Sequence, residues 1–137
     1  MSKTTTIDSI VGKTIKSVEG DRVNSDRLEF EFEDGCFCGF YEGGGQCDNT
    51  RIEDIIGEVD NLIGAPLLMA EEVVSRDKSI EDAPDKYDAG SFTWTFYKFA
   101  TVNGYVTVRW YGTTNGYYSE RVDFYFRGVN GEEEHGL

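Results

Sequence analysis

Lys98 and Arg109, two cations set among aromatic rings, are the residues whose types and spacing point most directly to chemistry. Phe96, Tyr111, Tyr105 and Trp94 lie around them, and an ammonium or guanidinium group beside ring faces suits a ligand that is both anionic and aromatic. A nucleotide meets both demands, with a base for the rings and phosphate for the cations. Other chemistries have less to work with. The one histidine, His135, sits in a GEEEHGL tail, so mechanisms that need a positioned imidazole are not expected. Pairs such as Glu71-Glu72 or Asp82 and Asp85 arise by chance in a chain with 26 acidic residues, and no nucleophile has an evident base. The chain reads as a non-enzymatic binding protein without a cofactor.

Metal chemistry is not expected either. Cys36, Cys38 and Cys47 are odd in number, which argues against a disulfide framework. With Asp48 they could ligate zinc, but Cys36 and Cys38 fall in an expected strand, and reduced thiols in and beside a hairpin are the simpler reading. The spacing of Asp77, Asp82, Asp85 and Asp88 does not match an EF-hand. The glycine-rich stretch 42–49 lacks the Gly-Lys-Ser/Thr of a phosphate-cradling loop.

Turn chemistry predicts how the ringed cations meet. Asn103-Gly104 and Asn115-Gly116 are strong two-residue hairpin signals, because both central positions of a type I′ turn take positive φ. A two-residue turn at Asn103-Gly104 pairs Tyr105 with Val102, Thr107 with Ala100, Arg109 with Lys98 and Tyr111 with Phe96. Lys98 and Arg109 then stand directly opposite, a like-charge pair that destabilises the sheet unless an anion or carboxylate lies between them. The second turn brings Glu120 opposite Tyr111 and Val122 opposite Arg109. Two readings follow. Either Glu120 neutralises the pair on a solvated sheet, or Lys98, Arg109, Phe96, Tyr111, Tyr105 and Trp94 form a ligand site with Glu120 at its edge. The other face, with Tyr97, Phe99, Val106, Val108, Trp110 and Tyr125, is the one expected to be buried, with Arg121 and Asp123 at its periphery.

The elements that must position this site are mostly strands. Residues 14–18 form a short strand candidate, and 28–33 alternate apolar with acidic throughout. Asp34-Gly35 then predicts a two-residue turn that places Phe32 opposite Phe37, Leu28 opposite Tyr41, and Glu31 and Glu33 opposite Cys38 and Cys36. Over 50–64, Thr50 and Glu53 make a capping box, Ile52, Ile55, Ile56, Val59, Leu62 and Ile63 recur at helical spacing, and Gly64 and Pro66 close the segment. That pattern predicts an amphipathic helix. Residues 66–74 read as a strand, and 92–102, 105–112 and 117–126 as a three-stranded meander. The expected fold is therefore α+β: a mainly antiparallel sheet, from an N-terminal hairpin and a C-terminal meander, with one helix packed on it.

Length and charge bound the rest. At 137 residues the chain is expected to be a single domain, 1–137, with a flexible loop at 75–91 and a frayed acidic tail at 128–137. A net charge of −13 argues against duplex DNA and anionic membranes as partners. Neither a membrane-spanning run nor a signal peptide is evident, so a soluble, cytoplasmic protein is expected. The charge is unevenly spread. Residues 1–91 carry nine basic and twenty-one acidic side chains, whereas 92–127 carry four basic against two acidic and hold thirteen of the nineteen aromatics. A sheet with two apolar faces and one helix to cover them also suggests a homo-oligomer.

The run SFTWTFYKFATVNGYVTVRWYGTTNGYYSERVDF (91–124), with IEDIIGEVDNLIGAPLLMAEEV (52–73) before it, resembles a family of small uncharacterised proteins, a domain of unknown function, found in bacteriophages and bacteria. Relatives tend to show adjacent cysteines where this chain has Gln46-Cys47, a departure that weakens a thiol metal site. The resemblance implies a phage origin and no particular activity. Small acidic phage proteins without catalytic motifs are often counter-defence factors, and two mechanisms fit. In one, the aromatic cationic sheet acts as a sponge that sequesters a nucleotide-derived immune signal. In the other, an acidic surface of Glu29, Glu31, Glu33 and the loop at 77–88 mimics nucleic acid and blocks a host defence protein, in the manner of an anti-CRISPR.

Overall fold

The computed structural model describes residues 7–42, 49–75, 91–114, 122–128 and 133–135. Alternation decides the first sheet. Along β2 (Arg27–Phe32), Leu28, Phe30 and Phe32 are buried while Glu31 is exposed. β2 pairs antiparallel with β1 (Ile15–Glu19) and β3 (Phe37–Glu42). The β2–β3 connection is one residue longer than an Asp34-Gly35 turn allows. Leu28 faces Phe40 and Phe30 faces Cys38, and Phe32 N–H donates to Cys36 O. Glu33, Asp34 and Gly35 form the loop, with Gly35 at φ 90°, the geometry of a three-residue hairpin ending in a left-handed glycine. Asp34 favours this loop over the shorter one, since its Oδ1 accepts from Cys36 N–H at 2.9 Å and its Oδ2 from Lys13 Nζ at 2.7 Å. A one-residue slip moves every β3 side chain to the opposite face. Cys36, Cys38 and Phe40 therefore enter the core, and Phe37 and Tyr41 share the outer face with Glu29 and Glu31.

β4 (Asn49–Ile56), β5 (Met69–Ser75), β6 (Ser91–Thr101) and β7 (Gly104–Thr114) form a second antiparallel sheet in the order β4-β7-β6-β5. No α-helix occurs among the described residues. The helix expected over 50–64 is β4 followed by a 3-10 turn, Val59–Leu62, so the fold is mainly antiparallel β and not α+β. The misleading period has a physical source. Ile52 pairs with Trp110, Asp54 with Arg109 and Ile55 with Val108, which leaves Glu53 as an inserted bulge residue. The two inward isoleucines, Ile52 and Ile55, thus lie three apart as they would on a helix face. Gly57 at φ 102° ends the strand, and the 3-10 turn buries Leu62. The Thr50–Glu53 box has no helix to cap. Glu53 instead meets Arg51, two residues away on the same side, at 3.3 Å.

The three-stranded meander is also corrected. β6 and β7 form the expected hairpin, but β8 (Val122–Arg127) pairs with β3, giving a first sheet ordered β1-β2-β3-β8-β9 with β9 (Glu133–His135) at its edge. β9 lies within the tail expected to fray. Two features direct β8 away from β7. The place beside β7 is filled by β4, and the place beside β3 is opened by Gly39, where a Cβ would lie 2.4 Å from the Tyr125 ring. Tyr125 consequently stands on the outer face of the first sheet, and Val122 faces Glu42 instead of Arg109.

The two sheets pack face to face through aromatic side chains. Phe30 meets Phe99 with ring centroids 5.1 Å apart, and Phe40 meets Tyr97 at 4.6 Å. Tyr97, Phe99, Val106, Val108 and Trp110 are all buried, the face expected to be inward, but a second sheet covers it where a helix was expected. Among the described residues no helix is long and apolar enough to cross a membrane.

Candidate functional site

The β6–β7 hairpin sets the site. Thr101 pairs with Gly104, so Val102 and Asn103 occupy the turn, one position before the expected Asn103-Gly104. Thr101 holds the turn there: its hydroxyl accepts from Asn103 N–H at 3.2 Å and donates to the Asn61 carbonyl. Moving the turn by one residue shifts the register by two, which preserves faces but changes partners. Trp94, Phe96, Lys98, Tyr105, Arg109 and Tyr111 therefore still share the outer face. Arg109 now lies opposite Phe96, Tyr111 opposite Trp94, Lys98 opposite Thr107 and Tyr105 opposite Ala100. The direct Lys98–Arg109 opposition does not occur, and Lys98 has Glu71 of β5 as its other cross-strand neighbour. Tyr105 is 67% exposed near the hairpin end, two rungs from Arg109. Glu120 and Arg121 lie outside the described residues, as do Cys47, Asp48 and the loop segment 76–90.

What the face brings together is a row of two rings flanked by two guanidinium groups. The Arg109 guanidinium lies 4.6 Å from the Trp94 ring centroid, and Trp94 meets Tyr111 at 5.3 Å. Arg51, from β4, lies over Tyr111 at 4.9 Å. Stacking of this kind contributes about 0.5–2 kcal/mol per pair and fixes the guanidinium plane, leaving its edges as directed donors. The bulge in β4 supplies the counter-charges. Glu53 lies 3.3 Å from Arg51, and Asp54 Oδ2 lies 4.0 Å from Arg109 Nη2, too far for a hydrogen bond. Asp54 Oδ1 is engaged elsewhere, accepting from Ile55 N–H at 2.9 Å. Among the described residues, Arg109 Nε is buried without a hydrogen-bond partner, a state that costs about 1–3 kcal/mol.

Arg51, Glu53 and Asp54 are the members that the helical reading hides. Their signal is an opposite-charge pair at spacing two, Arg51 and Glu53, which places both on one side of a strand and on different sides of a helix.

Elsewhere the titratable groups are structural. Burial pushes the Cys36 and Cys38 thiols up, keeping both protonated in the core. The Lys13 hydrogen bond holds Asp34 at about 2, and burial beside Glu29 raises Tyr125 to about 12. No group of three His, Cys, Asp or Glu side chains placed to hold a metal occurs among the described residues.

No curated protein and no solved structure matches the chain. Residues 8–124 match the family described as a domain of unknown function, DUF7448, and with that match spanning most of its 137 residues the chain belongs to that family.

Proposed function

We propose that the chain is a non-enzymatic binding protein that holds a small anionic, ring-bearing ligand of nucleotide type on the outer face of the second sheet. The observation that supports this reading is the state of Arg109: stacked on Trp94, with a buried Nε lacking an acceptor and a nearest carboxylate 4.0 Å away among the described residues. An anion reaches that guanidinium through the accessible part of its 36% exposed side chain, and Phe96 and Tyr105 on the same face offer ring surface. In the phage setting that the sequence resemblance implies, the protein is a counter-defence factor that sequesters a nucleotide-derived signal in the host cytoplasm. Calorimetric titration with cyclic nucleotides and cyclic ADP-ribose isomers tests it. Heat is expected for at least one member, lost in Arg109→Ala with folding intact; no heat from any member removes the reading.

A second reading has its own observation. On the outer face of the first sheet Glu19 stands directly opposite Glu29, and Glu31 follows one rung on. Arg27 Nε lies 3.8 Å from Glu29 and the Tyr125 hydroxyl donates to Glu29 at 3.2 Å, so the charge offered to a basic partner is chiefly that of Glu19 and Glu31. If the protein blocks a host nucleic-acid-binding protein through this face, Glu19→Gln with Glu31→Gln abolishes inhibition while Arg109→Ala leaves it intact.

A further inference from the structure

We infer that the ligand taken at Arg109 carries a single negative charge, and that Asp54 selects for it. This rests on the ligand-binding reading above. Among the described residues, each arginine on the face has a carboxylate of its own, and the lysine has one as its cross-strand neighbour. Arg51 has Glu53 at 3.3 Å, Arg109 has Asp54 at 4.0 Å, and Lys98 stands across from Glu71. Among the described residues the three cations of the face are matched in number by three carboxylates, so a polyphosphate meets as many negative charges as positive ones there. A phosphodiester, carboxylate or sulfonate asks only for one donor group, which the 36% exposed Arg109 side chain offers.

The β4 bulge creates this balance. In an unbroken strand following Ile52, Glu53 would point outward and Asp54 inward. The inserted residue instead turns both carboxylates to the outer side, one for each arginine. Asp54 is also fixed in place. Its Oδ1 is tied to Ile55 N–H at 2.9 Å, so its charge stays close to any second anionic group that a ligand at Arg109 would bring. At a partly exposed site, repulsion between such groups weakens binding by about fivefold per added charge at low salt.

The test titrates one ring with rising charge: 3′,5′-cyclic AMP, AMP, ADP and ATP, with the guanosine series beside it, against the wild type and Asp54→Asn. In the wild type the affinity should fall along each series, by about a hundredfold from cyclic monophosphate to triphosphate. Asp54→Asn should flatten that fall, strengthening triphosphate binding by about tenfold or more relative to the cyclic monophosphate, with an unchanged thermal midpoint confirming the fold. Affinity that rises with charge in the wild type, or an order that Asp54→Asn leaves untouched, overturns the inference and leaves the binding site standing. Absence of binding by every member to both proteins also overturns it, and removes the binding reading as well if the cyclic ADP-ribose isomers give no heat either.

Discussion

Arg109 is held by stacking on Trp94 more than by its carboxylate, and that distinction has a measurable consequence. A lysine at 109 keeps the charge but loses the planar fork that stacks and donates along an edge. Arg109→Lys should therefore weaken binding of any member of the nucleotide panel by about tenfold or more, close to the effect of Arg109→Ala, as read by calorimetry. At the first sheet's hairpin, Lys13 and Asp34 make a pair whose effect is seen through pH. Asp34 titrates at about 2 in the folded chain, below its ordinary value, so the folded state favours its charged form. Its contribution is present above about pH 4 and is lost as pH falls through about 2. The pair is partly exposed, with side chains 25% and 48% accessible, so screening limits its worth to about 1 kcal/mol or less. Asp34→Asn retains the Oδ1 acceptor for Cys36 N–H and removes only the ion pair. Its denaturation midpoint should lie below the wild type at pH 7 and converge with it near pH 2.

The bulge in β4 makes this part of the chain resemble a helix in sequence while being a strand in fact. Deleting a residue from a helix rotates everything after it by about 100°. Deleting Glu53 from a bulged strand simply makes the ladder regular, with Asp54 still opposite Arg109 and Ile55 still opposite Val108. The deletion should therefore leave a folded protein, less stable by no more than about 2 kcal/mol in urea denaturation, that has lost only the Arg51 counter-charge. Loss of folding would contradict the bulge. The same kind of local event explains what the sequence made legible. Alternation along Leu28–Phe32 and the β6–β7 hairpin reported faces correctly, and a two-residue error in the hairpin register still left Trp94, Phe96, Lys98, Tyr105, Arg109 and Tyr111 together. A one-residue error at Asp34-Gly35 did the opposite and exchanged Cys36 and Cys38 with Phe37 and Tyr41 between faces. Odd slips change faces and even slips change only partners. The placement of β8 was not legible, because it depends on Gly39 making room for Tyr125, a contact between residues far apart in the chain.

Across the whole molecule, Phe40 joins the two sheets. Its ring contacts Phe30 and Phe124 within the first sheet and Tyr97 and Phe99 in the second, at 4.6–5.8 Å. Phe40→Ala should cost about 3–5 kcal/mol, lowering the urea midpoint without changing the outer faces. The charge distribution also takes a different form from the one composition suggests. Arg127 belongs to the first sheet, where it lies over Phe37, so the slightly cationic segment 92–127 does not form one cationic surface. The positive charge available to a ligand is instead local, concentrated at Arg109 beside Trp94. The two tryptophans allow this to be read directly, since Trp94 is on the outer face and Trp110 is buried between the sheets. The decisive measurement is a nitrogen–proton correlation spectrum of their indole N–H groups during titration with the cyclic nucleotide and cyclic ADP-ribose panel. The Trp94 signal should move and saturate with at least one member while Trp110 stays in place, and Arg109→Ala should abolish the change. A Trp94 signal that stays fixed with every member, or binding that moves only residues of the first sheet, would contradict a ligand site at Arg109.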